Sequence, residues 1–175
     1  MTAKWTDFVA GSVLTAAQLN DVLDNFQDIA IFNETQAQNT AGGASTGTTW
    51  TKRTLNTTLV NNLGATLTTS VIALVAGTYE VEAISPFLAG NSVNIRLRNT
   101  TDSTTAIQGS NNYLASAAIV GGYAELNGSF TITGTKNFEL QYYVQTGRAS
   151  NGLGVELNAT GVSEIYSIIK IRRIA

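Results

Sequence analysis

Histidine and cysteine are both absent from this chain of 175 residues. Without histidine there is no Ser-His-Asp relay, and the commonest metal ligand is missing. Without cysteine there is no disulfide, no thiolate nucleophile and no thiolate-bound metal. Charge is scarce too: 13% of residues are Asp, Glu, Lys or Arg, about half the usual quarter. A net charge of −2 offers no basic patch, so no nucleic-acid partner is expected. No apolar run approaches the roughly 20 residues of a membrane span, so no membrane insertion is expected. Residues 1–10 do not read as a signal peptide, because Asp7 and Gly11 break the short apolar stretch. Synthesis in a cytoplasm is the expectation. No cofactor, no metal and no enzymatic activity are expected.

What is present divides in two. Residues 1–41 carry Lys4 against Asp7, Asp21, Asp24, Asp28 and Glu34, a balance of −4, which leaves the remainder at +2. This leader opens with Trp5, Phe8 and Val9, large apolar residues that either dock on another surface or fold back on the chain's own helix. Thr15 with Gln18 three residues on forms a capping box, flanked by Leu14 and Leu19 as a hydrophobic staple. Leu19, Val22, Phe26 and Ile29 follow at helical spacing, with Leu23 and Ala30 beside them. The sequence predicts a helix here, and Asn33 would continue its repeat. Such a helix is too short to stand alone and must bury its stripe against sister helices, the body or a particle. Residues 41–47, rich in Gly, Ala, Ser and Thr, read as a flexible linker and as the boundary between a leader, 1–41, and a head, 42–175.

The head reads as short strands with turn punctuation. Residues 50–55 and 67–74 are the first two. Tyr79, Val81 and Ala83 then alternate with Glu80 and Glu82, and Pro86, the only proline, follows that strand. Val93, Ile95 and Leu97 alternate with Asn94, Arg96 and Arg98, ahead of a turn on Asp102. Residues 106–113 read as an irregular edge. Ala124, Leu126, Phe130 and Ile132 mark a further strand, with Asn127-Gly128 as a bulge or turn. Phe138, Leu140 and Tyr142 alternate with Glu139, Gln141 and Tyr143. Residues 146–154 form a Gly-rich loop. The last strand, 164–174, is apolar on both faces: Ile165, Ile169 and Ile171 on one, Tyr166, Ile168 and Ile174 on the other. Both sides of it are therefore expected to be buried, in a sandwich or at a subunit interface. Eight or so antiparallel strands at this spacing predict a mainly β protein, a jelly-roll β-sandwich preceded by an arm and one α-helix.

Taken in order, Ala76-Gly77-Thr78-Tyr79-Glu80-Val81, residues 93–102 from Val93 to Asp102, Phe138-Glu139-Leu140-Gln141-Tyr142 and the long closing strand resemble the jelly-roll heads of bacteriophage structural proteins. Those heads are similar in fold to tumour-necrosis-factor and complement-type globular heads. Residues 8–20, from Phe8 to Asn20, resemble the N-terminal attachment segment of phage virion and tail-fibre proteins. The resemblance implies a homotrimer on the virion surface, docked to a capsid or tail protein. With no extended stalk, a squat head fibre or capsid decoration suits the length better than a long fibre. A tail-fibre or baseplate receptor-binding protein and a soluble carbohydrate-binding module are the alternatives.

The expected contacts follow. Trp5, Phe8, Leu14, Leu19, Val22, Phe26 and Ile29 would dock on the particle or oligomerise. Ile165, Ile169 and Ile171 would line a trimer interface. Tyr113, Tyr123 and Tyr143, on turns or outward faces, could stack on a host-surface glycan or receptor. Lys170, Arg172 and Arg173 read as a solvated strand end, or as a counter-charge for a neighbour's acidic leader. Glu80 and Glu82 share a strand face about 7 Å apart, a spacing compatible with glycoside hydrolysis. Nothing else supports an active site, so a solvated face is the reading adopted. Asp102 with Asn99 and Ser103 reads as an Asx-type turn, since calcium requires more oxygen ligands than are near.

Overall fold

The computed structural model describes residues 28–174, together with Gly11, Val13, Thr15, Ala16 and Leu19. The strands, in chain order, are β1 (Ile29–Gln36), β2 (Thr51–Lys52), β3 (Thr57–Asn61), β4 (Thr66–Thr68), β5 (Val71–Leu74) and β6 (Gly77–Leu88), then β7 (Asn91–Asn99), β8 (Thr104–Gln108), β9 (Asn112–Leu114), β10 (Gly121–Ile132), β11 (Lys136–Val144) and β12 (Glu164–Arg173). They form two antiparallel sheets. The first has the order β10-β6-β12-β1-β3, the second β4-β5-β11-β7-β8, with β2 on β11 and β9 on β7. This is the jelly-roll sandwich expected from the alternation.

The alternation decides which side chains meet between the layers. Phe32, Tyr79, Val81, Leu126, Ile169 and Ile171 come from the first sheet, and Ile72, Ile95, Leu97, Phe138, Leu140 and Tyr142 from the second; all are buried in one core. Burying each such side chain contributes about 1.5–3 kcal/mol. Rings cluster inside it: Phe130 lies 4.9 Å from Phe138 and 5.7 Å from Tyr79, centroid to centroid.

Several expectations need correction. Ile29 and Asn33 are not helical. They lie in β1, which sits between β12 and β3, with Ile29 opposite Arg172 and Asn33 opposite Ile168. The short run Ile29-Ala30-Ile31-Phe32 satisfies either period, and pairing on both sides decides for strand. The head therefore begins no later than Ile29, and residue 41 is not its boundary. Residues 41–47 are not a flexible linker either. Gly42 N donates to Gly154 O, Leu153 N to Gly43 O, and Ser45 and Arg148 exchange both backbone bonds. A Cβ on Gly42 would sit 2.5 Å from Leu153 O, so this glycine serves close approach of two backbones, not looseness.

Residues 67–74 are a hairpin, not one strand. Thr69 and Ser70 turn with φ of 48° and 63°, the left-handed pair of a type I′ turn. The turn is fastened by Lys52 Nζ to Thr69 O and Ser70 Oγ to Leu55 O. Only residues 51–52 of the expected 50–55 strand pair as strand. β6 runs past Pro86 to Leu88, but its pairing with β12 ends at Ile84 opposite Ile168, so the missing N–H falls where that ladder has ended. β10 passes through Asn127-Gly128 in unbroken register with β6.

The most consequential correction is in β12. Asn33 faces Ile168 and Thr35 faces Ile165, so Glu34 alone opposes Tyr166 and Ser167. This is a β-bulge, and it inverts the phase of the strand. Tyr166, Ile169 and Ile171 point inward, while Ile165 and Ile168 share the outer face. The two-faced apolar character of this strand is thus a bulge within one sandwich. At the other end of β12, Arg173 N donates to Asp28 O at 3.0 Å, so the chain leaves the head beside the point where it enters.

Candidate functional site

The outer face of the first sheet has two halves. One is apolar: Ile84, Pro86 and Leu88 on β6, Tyr123 opposite Pro86, and Ile165 and Ile168 on β12. Ile165 is 54% exposed and Ile168 37%. Ile169 and Ile171, expected at an interface, are 0% exposed and belong to the protomer's own core; the bulge put them there. The other half is charged. Glu82 pairs with Lys170 at 3.1 Å and Glu80 with Arg172 at 3.9 Å. Each carboxylate of the suspected glycosidase pair therefore has its own cation on an open face, and Lys170 and Arg172 pair within their own protomer. Between the halves, Glu82, Ile84, Glu125, Asn127, Ile168 and Lys170 line a groove of about 440 Å³.

Of the expected docking residues, Trp5, Phe8, Leu14, Val22 and Phe26 lie outside the described residues. Leu19 is 47% exposed, and its N–H donates to Thr15 O at 3.1 Å; Gln18 of the expected capping box lies outside the described residues.

The second sheet carries the aromatic site. Tyr113 on β9 and Tyr143 on β11 line one groove of about 390 Å³ with Ser92, Val93, Asn94, Asn111 and Asn112. Tyr123 is elsewhere, on the outer face of the first sheet. Tyr113 is 65% exposed. Trp50 extends the aromatic surface, its ring centroid 5.6 Å from that of Tyr143. The Arg96 guanidinium lies over Trp50, 4.2 Å from the ring centroid, a cation–π stack. Arg96 is held by Nε and Nη2 donating to Gln141 Oε1, and Gln141 Nε2 donates in turn to Glu139. The alternation of β7 and β11 announced these outward residues, but nothing in the sequence placed Trp50 or Asn111 beside them.

Sequence reasoning missed a buried ion pair. Arg53, after β2, and Glu34, on β1, are enclosed in the interior, with Arg53 Nε and Nη2 both on Glu34 Oε2. Arg53 Nη2 also donates to Leu153 O, and its guanidinium lies 5.7 Å from the Phe87 ring and 5.9 Å from that of Tyr142. Arg53 Nη1 has no hydrogen-bond partner among the described residues. Burial pushes the guanidinium below its ordinary pKa, and Glu34 opposes that shift.

Three carboxyl and phenol groups tie down loops. Glu164 accepts from the backbone N–H of Leu157, Asn158 and Asn39, and these bonds, Leu157's first, hold its carboxyl below the usual range. Asp102 is drawn below its ordinary value chiefly by Lys136, whose Nζ lies 2.6 Å away, and it closes the Asx turn with Asn99. Tyr166 donates to Thr40 O, and burial pushes its phenol up to about 12. Among the described residues no group of three Asp or Glu is placed to hold a metal.

No family model matches the chain, and no curated protein matches it in sequence. Solved structures do match in shape. The globular domain of zebrafish complement 1qA superposes with a TM-score of 0.54 at 11% identity, over 83% of this chain and 97% of that one. Murine APRIL at pH 5.0 gives 0.51 at 9% identity, over 82% and 98%. Murine APRIL at pH 8.0 gives 0.51 at 6%, over 82% and 97%. The chain thus has the jelly-roll fold of complement and tumour-necrosis-factor-like domains.

Proposed function

We propose that this chain is a non-enzymatic head that assembles as a homotrimer on a virion surface, as a head fibre or capsid decoration held by its N-terminal segment. The observation that carries self-association is the apolar half of the first sheet's outer face. Ile165, Ile168 and Tyr123 are exposed there beside half-buried Ile84 and Pro86. A contiguous apolar patch rimmed by charge marks a protein contact. A second copy is the occupant proposed, on a fold shared with the globular domain of complement 1qA and with APRIL. The virion setting is supported by residues 8–20, which resemble phage attachment segments.

The test is the solution mass of the full chain and of residues 28–175, a truncation that keeps β1 in its sheet. Trimers of both place assembly in the head. A monomer of the full chain at high concentration would defeat the assembly reading. Incorporation is tested separately, by asking whether residues 28–175 still co-purify with phage particles. Normal incorporation of that truncated chain would remove the anchoring role of the N-terminal segment.

A further inference from the structure

We infer that the groove between Tyr113 and Tyr143 binds a neutral oligosaccharide. This goes beyond the proposed assembly by giving the head a ligand, and rests on the virion reading only for its biological setting.

The lining is uncharged throughout: Ser92, Val93, Asn94, Asn111, Asn112, Tyr113 and Tyr143. An anionic glycan would need a free cation there, and Arg96, beside the aromatic surface, is already committed. Its guanidinium is stacked on Trp50 and forked onto Gln141. What the groove does offer is aromatic faces and amides. Pyranose rings present patches of C–H that pack on the electron-rich face of an aromatic ring, while their hydroxyls need both donors and acceptors. Tyr113 is two-thirds exposed, and Tyr143 with Trp50 makes a second aromatic surface.

The amides are fixed in place, not free to rotate. Asn94 Nδ2 donates to Gly109 O and to Asn111 Oδ1, and Asn94 Oδ1 accepts from Gln108. Asn112 Oδ1 accepts from Tyr113 N, and Asn112 Nδ2 donates to Tyr123 O. This network orients Asn111 at the groove wall, where its Nδ2 has no acceptor among the described residues. The hydroxyls of Tyr113 and Tyr143 likewise have no partner among the described residues. Preorganised polar groups on rigid strands beside an aromatic platform lower the ordering cost of binding.

The experiment titrates the full chain carrying Trp5→Phe, so that Trp50 alone reports fluorescence. The probes are maltohexaose, cellohexaose and N-acetylchitohexaose, with a heparin hexasaccharide as the charged comparator. We expect a saturable change with at least one neutral sugar, insensitive to salt between about 0.05 and 0.5 M. Tyr113→Ala, at an exposed position, should weaken that affinity about tenfold, equivalent to about 1.4 kcal/mol, with the thermal midpoint unmoved. Asn111→Ala should weaken it as well, and Tyr143→Phe should retain the stacking. No saturation with any neutral hexasaccharide would overturn the inference. So would undiminished binding by Tyr113→Ala, or binding confined to heparin and lost in salt. Mass is measured on the wild-type full chain in parallel, and sugar binding by that wild-type chain is checked at one saturating concentration. A trimer that binds no sugar defeats the groove alone, and a monomer that binds defeats the assembly alone.

Discussion

Arg53 and Glu34 meet inside the sandwich, Nη2 to Oε2 at 2.6 Å, with neither side chain reaching solvent. The contact joins β1 to the segment after β2, and through Leu153 O to the loop beyond β11. Two charges taken out of water cost several kcal/mol each, and their mutual attraction offsets that only when the geometry is good. Here the fork onto one carboxylate oxygen and the flanking rings of Phe87 and Tyr142 supply it.

Removing one partner should therefore be far worse than removing both. Arg53→Met or Glu34→Leu alone is expected to cost about 3–5 kcal/mol in urea denaturation, because each leaves a buried unpaired charge. The double variant should recover a large part of that loss. Strictly additive single costs would show that the pair is not an energetic unit.

Ile168 and Ile169 are neighbours with opposite fates. Ile168→Asp places a charge on the outer face and should reduce the assembled mass without lowering the monomer's urea midpoint. Ile169→Asp buries that charge in the core and should prevent folding, or cost more than about 4 kcal/mol. Equal effects of the two would show that the bulge does not set the strand's phase.

Acid should loosen the loops that Glu164 holds. Its folded pKa is depressed, so its contribution is present above the unfolded value of about 4.3 and is lost as pH falls through the folded one. Wild-type stability should fall with pH in that window. Glu164→Gln should be less stable at neutral pH and show a shallower acid slope. Identical slopes would leave Glu164 without a role in acid sensitivity.

Gly154 has a φ of 132°, and a Cβ there would run into the Tyr166 ring and stand 3.1 Å from Pro86 Cγ. Gly154→Ala should cost on the order of 3 kcal/mol, from backbone strain and displaced packing together. Gly134→Ala is the control: nothing lies within 4 Å of its Cβ position, and its midpoint should move by less than about 1 kcal/mol.

The strands whose residues alternate cleanly were legible from the sequence. Tyr79, Val81 and Ala83, then Val93, Ile95 and Leu97, then Phe138, Leu140 and Tyr142 all point into the core as their period demands. What failed has one cause: partners distant in sequence decided it. Ile29 and Asn33 fit a helix repeat until β12 and β3 flank them. Ile169 and Ile171 share a period with Ile165 until Glu34 opposes two residues at once. Gly42 looks loose until Leu153 lies against it. Arg53 and Glu34 look like surface charges because nothing local shows that 19 residues of chain fold back to bring them together. At the aromatic groove the alternation exposed Tyr143, and a turn exposed Tyr113. Only the pairing of β9 and β11 on either side of β7 brought them to one place.

The hydrogen bond from Arg173 to Asp28 gives the head a polarity. Both ends of the described fold emerge at one pole, beside Thr78 and Ile132. β6 then runs 12 residues to Leu88, roughly 40 Å at strand rise, and the turn into Asn91 brings the chain to Ser92, Tyr113 and Tyr143 at the far pole. A head held at the pole of Asp28 and Arg173 would carry its aromatic groove outermost, like a lamp on a bracket. Immobilising it at that pole for a binding assay leaves the groove facing the solution.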